Sequence, residues 1–419
     1  MNKACNGDCR NCKNHCQDYI PEEVTIIEAV GDAKLGVAVD LGTTTIAVAL
    51  ANLRTGQKVA TYSMGNSQRK YGADVVSRIM AACNGDGLKL QQAVNKDIEG
   101  AIAKLCNAVG ILPEQIQRGV IAANTTMVHL LMGYPVEGLA AYPFKPYSLD
   151  FAKATIGGVD FCVLPGIAAF VGGDIVAGLY ALDIADCKGK YLLLDLGTNG
   201  EIVAVSDGHG VATSTAAGPA LEAAGISCGM PCVAGAISSV EFVTPTTIKC
   251  SSIANTTPVG LCGSGVVDTV AGLFEQGLID TGGLFTSEEL QDEGIELTED
   301  IFFLPEDVQQ VLLAKSAISA GTQILMNKAQ LEPEKIDKVF LAGGLGSGIN
   351  INSAKAIGLI SPMFRDKVET VGNTSLDGAA RFLVSQDEEK ILSIVKGFEV
   401  VDLGNEVEFE TLFLNNLFL

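Results

Sequence analysis

Residues 37–50 read VAVDLGTTTIAVAL, and residues 192–205 read LLLDLGTNGEIVAV. Aligned without gaps, Asp40 falls on Asp195, Leu41 on Leu196, Gly42 on Gly197 and Thr43 on Thr198. Each stretch is an apolar run, a polar turn at Gly, and a second apolar run, the pattern of a buried β-hairpin. The tip carries an Asp, a Gly and hydroxyls. One such hairpin is an ordinary tight turn. Two copies point to a duplicated unit.

The tip chemistry suits a nucleoside triphosphate. Phosphate oxygens need backbone N–H groups aimed at them and a cation to share their charge. Glycine lets backbone approach closely. Gly42, Thr43, Thr44 and Thr45 supply this on one hairpin, and Gly197, Thr198 and Asn199 supply it on the other. Asp40 and Asp195 are the expected catalytic carboxylates, organising Mg²⁺ through water. A third element, VFLAGGLGSG at 339–348, runs a buried strand into Gly343, Gly344, Gly346 and Ser347. That turn would lie flat against an adenine or ribose. No GxxxxGK[ST] is present, so this is not a Walker A loop.

The 419 residues are too many for one ordinary core. Ile98, Ile102 and Leu105 recur at helical spacing. Residues 119–123 read as a strand and 125–132 as the helix after it. A strand near 233–242 and helices over 264–276 and 311–329 follow. Acidic residues 287–307 read as a solvated insertion. This alternation implies α/β layers. The expected division is a Cys-rich head (1–20), a linker or first strand (21–35), a first lobe (36–185), a second lobe (186–376) and a segment returning to the first lobe (377–419).

The formal charge of −21 argues against nucleic acid, whose phosphates need clustered Lys and Arg. Solubility accounts for it, or docking of a basic partner. The apolar stretch 164–182 is broken by Pro165, Gly172, Gly173 and Asp174, so no membrane span of about 20 residues is expected. The polar N-terminus is no secretory signal, and a cytoplasmic protein is expected.

Four of the twelve cysteines, Cys5, Cys9, Cys12 and Cys16, are spaced C-x3-C-x2-C-x3-C. Four thiolates so close can wrap a [4Fe–4S] cluster or a zinc ion, and both stay open beside an adventitious tail. His15 could replace one ligand. The other eight read as reduced core thiols, Cys228-x3-Cys232 and Cys262 included.

Two readings stand for Asp174: a general base positioning the attacking water, or an N-cap for a helix over 175–181. Glu222 reaches a nucleotide ribose or merely starts a helix, with Gly218 allowing close approach. Asp377 marks an inter-lobe hinge or a helix cap. His129 reads as a satisfied helix residue rather than a corrinoid ligand.

The order DLGTTT, DLGTNG, FLAGGLGSG is similar to the phosphate-1, phosphate-2 and adenosine motifs of the superfamily of acetate kinase, sugar kinases, heat-shock ATPases and actin. Within it, the chain most closely resembles the ATP-dependent reductive activators of corrinoid proteins. The resemblance covers nearly all of 36–419. It is carried by NSQRKYGADVVSRI (66–79), ANTTMVHL (123–130), PFKP (143–146) and GGD (172–174). AAGPALE (216–222), GISCGM (225–230), GLCGSG (260–265), AKSAI (314–318) and GNTSLDGA (372–379) complete it.

The resemblance implies two RNase H-like lobes with ATP and Mg²⁺ between them, an actin-like ATPase fold. It implies an ATPase that drives a low-potential electron onto a corrinoid protein of a methyltransferase system, taking Co(II) to Co(I). A donor such as ferredoxin, and a homodimer, come with it. The family's usual N-terminal part is a [2Fe–2S] ferredoxin domain, then a linker and a middle domain, and none of these is expected here. Three rivals remain: a small-molecule kinase of the same fold, a nucleotide-gated binding or redox-sensing protein, and an electron acceptor other than a corrinoid.

Overall fold

A computed structural model describes residues 24–419 apart from 32, 186 and 347. Cys5, Cys9, Cys12, Cys16, His15 and Ser347 therefore lie outside the described residues.

The first sheet holds β1 (Thr25–Ile26), β2 (Leu35–Leu41), β3 (Thr45–Asn52), β4 (Lys58–Gly65), β5 (Ile116–Ala123), β6 (Ala152–Ile156) and β7 (Val159–Val163), in the order β1-β4-β3-β2-β5-β7-β6. After it come β8 (Lys190–Leu196), β9 (Gly200–Ser206) and β10 (His209–Thr215). A three-stranded sheet of β11 (Ala236–Thr244), β12 (Thr247–Ser252) and β13 (Gly260–Leu261) and a hairpin of β14 (Ile295–Thr298) and β15 (Ile301–Phe303) intervene. The chain then adds β16 (Lys338–Ala342), β17 (Val368–Gly372) and β18 (Phe398–Val400), giving a second large sheet ordered β17-β16-β8-β9-β10-β18.

The two large sheets repeat one plan. In the first, β4, β3 and β2 run antiparallel to their neighbours, and β5 and β7 continue parallel to β2. In the second, β10, β9, β8, β16 and β17 follow the same order and senses. Two α/β units of the actin-like ATPase type result.

β2 shows why the sequence reads as an almost unbroken apolar run. Every residue except Asp40 is buried, because both faces are covered. Leu35, Val37, Val39 and Leu41 pack with Ile98, Ile102 and Leu105 of the helix Gly87–Val109. Ala38 faces the other way, toward Ala177, Ala379 and Leu383. These belong to the helices Gly173–Leu182 and Thr374–Ser385. That second core also takes Leu193, Val203 and Val205 from the second sheet, so it is shared by both units. The two helices touch backbone to backbone. A Cβ on Gly378 would sit 1.9 Å from the Ala177 carbonyl oxygen, so only glycine permits the crossing.

Two expectations need correction. The stretch 287–307 is not a solvated insertion: β14 and β15 bury Ile295, Leu297, Ile301 and Phe303, and Asp307 is buried while accepting the Ser227 and Leu304 N–H groups at 2.7 and 2.9 Å. Charge density there hid a period-2 apolar face. The segment after 376 also does not stay with the first unit. Thr374–Ser385 lies on β2 and β5, but β18 pairs parallel to β10 of the second sheet. Among the described residues, no helix is long and apolar enough to cross a membrane.

Candidate active site

The two hairpins meet. Thr44 Oγ1 lies 2.8 Å from Thr198 Oγ1, and Thr198 donates onward to Glu222 Oε2 at 2.6 Å. With the Thr198 proton committed to Glu222, the Thr44 hydroxyl is the donor across the cleft.

The gap-free repeat holds through the first strand and slips within the turn. In the first hairpin Asp40 pairs with Ala47, and Gly42 N–H closes on the Thr45 carbonyl. In the second, Asp195 pairs with Glu201, and Gly197 N–H closes on the Asn199 carbonyl. The second turn is one residue tighter, and a one-residue slip reverses the facing of a strand. Directly paired residues share a face. Glu201 therefore stands beside Asp195, where the first hairpin has only Ala47.

Asp40 is held by neutral donors. Asn373 Nδ2 donates to one carboxylate oxygen at 2.7 Å and Ser375 Oγ to the other at 2.8 Å. Asn373 also caps the helix Thr374–Ser385, accepting the Leu376 N–H at 2.7 Å. The turn below is braced by Asn66 Nδ2 on the Gly42 carbonyl (2.9 Å) and Asn124 Nδ2 on Thr43 Oγ1 (3.1 Å). Burial raises the Asp40 carboxyl, and the Asn373 and Ser375 hydrogen bonds oppose it.

The carboxylates around the second hairpin have less help. Burial pushes Asp195 up to about 8, and the charges of Asp174, Asp40 and Glu222 add to it. Asp174 is raised by burial and by Asp40 despite accepting the Ile175 N–H at 2.8 Å. Burial, Asp174 and Asp195 raise Glu201 well above the usual carboxylate range, against one Ser214 hydroxyl at 3.1 Å. Glu222 is raised by burial. Such mutual repulsion is relieved by a cation. Hard oxygen donors are the type Mg²⁺ takes, one or two carboxylates with nucleotide phosphates completing the shell. Among the described residues, no three His, Cys, Asp or Glu are grouped to cage a metal unaided.

The third motif joins the second hairpin directly. Gly343 has φ +87°, and a Cβ there would lie 2.6 Å from both Asp195 Oδ1 and the Leu196 carbonyl oxygen. A cleft of about 560 Å³ is lined by Thr44, Thr45, Glu222, Gly344 and Gly348 together with Cys232, Cys262 and Ser264. Gly346 lies in the short helix Gly343–Gly346, and Gly218, at φ +77°, leads into Glu222.

Several single readings resolve. Asp174 is not an N-cap; Gly172 holds that position and Asp174 sits in the first turn. Asp377 is not a cap either, and pairs with Lys58. His129 is buried with Nδ1 on the Thr125 carbonyl (2.7 Å) and Nε2 accepting the Tyr147 N–H (3.0 Å), a satisfied helix residue. Of the eight cysteines read as core thiols, Cys106, Cys228 and Cys262 are buried, Cys162, Cys187 and Cys250 are half-buried, and Cys83 and Cys232 are exposed rather than core thiols. Asn66, Asn124, Glu201, Asn373 and Ser375 had no assigned role. The signal for Glu201 was present: a carboxylate in an otherwise apolar second strand.

Residues 190–419 match the family described as the C-terminal domain of RACo, the ASKHA domain, and residues 35–186 match the RACo middle region. The second match overturns the expectation that the middle domain is missing: the first unit is that region. The chain is 32% identical over 420 residues to the corrinoid activation enzyme RamQ of Eubacterium limosum, spanning 91% of this chain and 70% of the relative. A [Co(II) methylated amine-specific corrinoid protein] reductase of Methanosarcina barkeri is 24% identical over 404 residues, spanning 86% and 72%. A solved reductive activator for corrinoid, iron-sulfur protein superposes with TM-score 0.87 at 32% identity, covering 93% of this chain and 66% of that one. This chain belongs to the RACo family of reductive activators of corrinoid proteins.

Proposed function

We propose that this chain binds MgATP between its two hairpins, hydrolyses it, and couples hydrolysis to one-electron reduction of a Co(II) corrinoid on a partner protein to Co(I). The observation that carries this is the convergence of three motifs on one cleft: the Thr44–Thr198 contact joins the hairpins, and Gly343 abuts Asp195. Kinship with proteins described as corrinoid activators supplies the acceptor.

In this reading, the backbone and hydroxyls of Gly42, Thr43, Thr44, Thr45, Gly197, Thr198 and Asn199 hold the β- and γ-phosphates. Asp40 and Asp195 orient the cation that arrives with the nucleotide. Gly343, Gly344, Gly346 and Ser347 bed the adenosine, and Glu222 with Gly218 faces the ribose side. Asp174 takes the proton of the attacking water, and its raised carboxyl suits a base working near neutrality. Products are ADP and phosphate. In this reading the hydrogen bond that crosses between the hairpins at Thr44 would let hydrolysis change how the lobes close. The energy thus acts through shape, with no phosphorylated product.

Cys5, Cys9, Cys12 and Cys16 are the residues that would hold a [4Fe–4S] cluster, with zinc as the alternative; a ferredoxin-type donor and a homodimer belong to the same proposal. The test is anaerobic. Reduced protein, a Co(II) corrinoid partner and a low-potential donor are mixed with and without MgATP, and the Co(I) absorbance is followed. The expected result is Co(I) only with hydrolysable nucleotide. Hydrolysis with Co(II) unchanged would leave an ATPase with another acceptor. Phosphate transferred to a small molecule would make it a kinase.

A further inference from the structure

We propose that Cys232 and Cys262 form a reversible dithiol–disulfide pair in the wall of the nucleotide cleft, and that its oxidation by a low-molecular-weight disulfide shuts off nucleotide binding. This rests on the nucleotide reading of the cleft and adds its regulation.

Both sulfurs line the same cleft as Thr44, Glu222 and Gly344. They come from two segments tied together by backbone. Gly229 bridges Leu261, Leu261 N–H donates to the Cys228 carbonyl at 2.8 Å, and Met230 N–H donates to the Leu261 carbonyl at 2.9 Å. Cys232 and Cys262 are near enough for each thiol to shift the other's acidity. Cys262 is the boundary residue of the helix Gly263–Glu275, with Ser264 Oγ 3.5 Å from its sulfur. Sulfur at a helix N-terminus is stabilised as thiolate. In keeping with this, Cys232, with Ser264 and the helix-start N–H groups, lowers Cys262 against the opposing effect of burial. The partner Cys232 is correspondingly raised. The pair thus gives up its first proton easily and shares the second. Cys232 is exposed and Cys262 is 1% exposed, so one sulfur meets reagents and the other can only resolve.

The chemistry balances with the disulfide as oxidant. The Cys232 sulfur, its proton passing to Cys262, attacks RSSR and forms a mixed disulfide. The departing RS⁻ takes up the proton that the pair had released. Cys262 then loses its proton and attacks the Cys232 sulfur, expelling the second RS⁻, which is protonated. Two protein thiols and RSSR become one protein disulfide and two RSH, with two electrons passing to the small thiols.

A bond of about 2.05 Å requires the two segments to close further. That movement lands on the adenosine side of the cleft. Ser264 packs under the Gly-rich turn, its Oγ 3.8 Å from where a Gly348 Cβ would be. A chain that drives low-potential electrons wastes ATP when its surroundings are oxidising, and a thiol pair beside the adenosine turn would stop that consumption.

The test uses the full reduced chain with oxidised glutathione, peptide mapping without reductant, and titration with a fluorescent ATP analogue. Expected are a Cys232–Cys262 cross-link, at least tenfold weaker nucleotide binding, recovery with dithiothreitol, and cross-linking slowed by bound analogue. The Cys262→Ala variant should retain glutathione on Cys232, and Cys232→Ala should acquire none at Cys262. No cross-link, or a cross-link that leaves affinity within twofold, overturns the proposal alone. Reduced protein that binds no nucleotide overturns the cleft reading with it.

Discussion

The two hairpins share the tip DLGT but not its surroundings. Asp40 has both oxygens occupied by Asn373 and Ser375, and two further asparagines brace its turn. Asp195 faces Glu201 in register, with Asp174 and Glu222 near enough to raise it. One hairpin is electrostatically settled before any ligand arrives. The other crowds buried carboxylates, and without a cation their repulsion is relieved by Asp195 holding its proton. A duplicated scaffold has been divided into a positioning side and a charge-demanding side.

The sharpest test of that division is Asp195→Asn. Turnover should fall about 10²–10³-fold, the range for removing one preorganised electrostatic group, read as phosphate release at saturating MgATP. A loss under tenfold would break the contrast. Next is Gly343→Ala, where a Cβ would strike Asp195 and Leu196 from a left-handed backbone. It should cost about 1–3 kcal/mol. Gly344→Ala, with nothing within 4 Å, should stay within about 0.5 kcal/mol. Equal denaturant midpoints for the two would mean that the adenosine turn does not rest on the second hairpin.

Asn373→Ala probes the settled side. Loss of the cap and of one Asp40 partner should destabilise by about 1–2 kcal/mol, measured by urea unfolding. pH separates the sides more gently. Folded Asp195 keeps its proton up to about 8, against an ordinary value of 3.8. The folded state therefore binds the extra proton between those values. Its stabilisation is complete below 3.8 and is lost as pH rises toward and through 8. Nucleotide-free protein should melt lower at pH 8 than at pH 6, and Asp195→Asn should narrow that gap; an unchanged gap would place the titration elsewhere. The smallest effect is the Thr44–Thr198 bond. A Val double-mutant cycle should give a coupling of about 0.5–1.5 kcal/mol, and zero coupling would leave the hairpins merely adjacent.

Much of this was legible in the chain. The repeat DLGT, the turn glycines and the buried strands around them identified the units, because apolar periodicity and turn chemistry are local. The helix over 125–132 was read to the residue. The acidic stretch 287–307 was misread because charge masked the alternation in β14 and β15. The second strand of the repeat was misaligned by one residue, since turn length is a backbone property that side-chain similarity does not report.

Sequence by itself determined the fold class, the paired DLGT hairpins and the third glycine turn, because each is written in contiguous residues. Tertiary structure alone decided that Asn373 and Ser375 hold Asp40 from more than 330 positions away. It alone set Glu201 against Asp195 and brought Cys232 to Cys262. Those are long-range pairings, fixed by strand register and by where two helices cross at Gly378, and no local pattern encodes which side chains meet there.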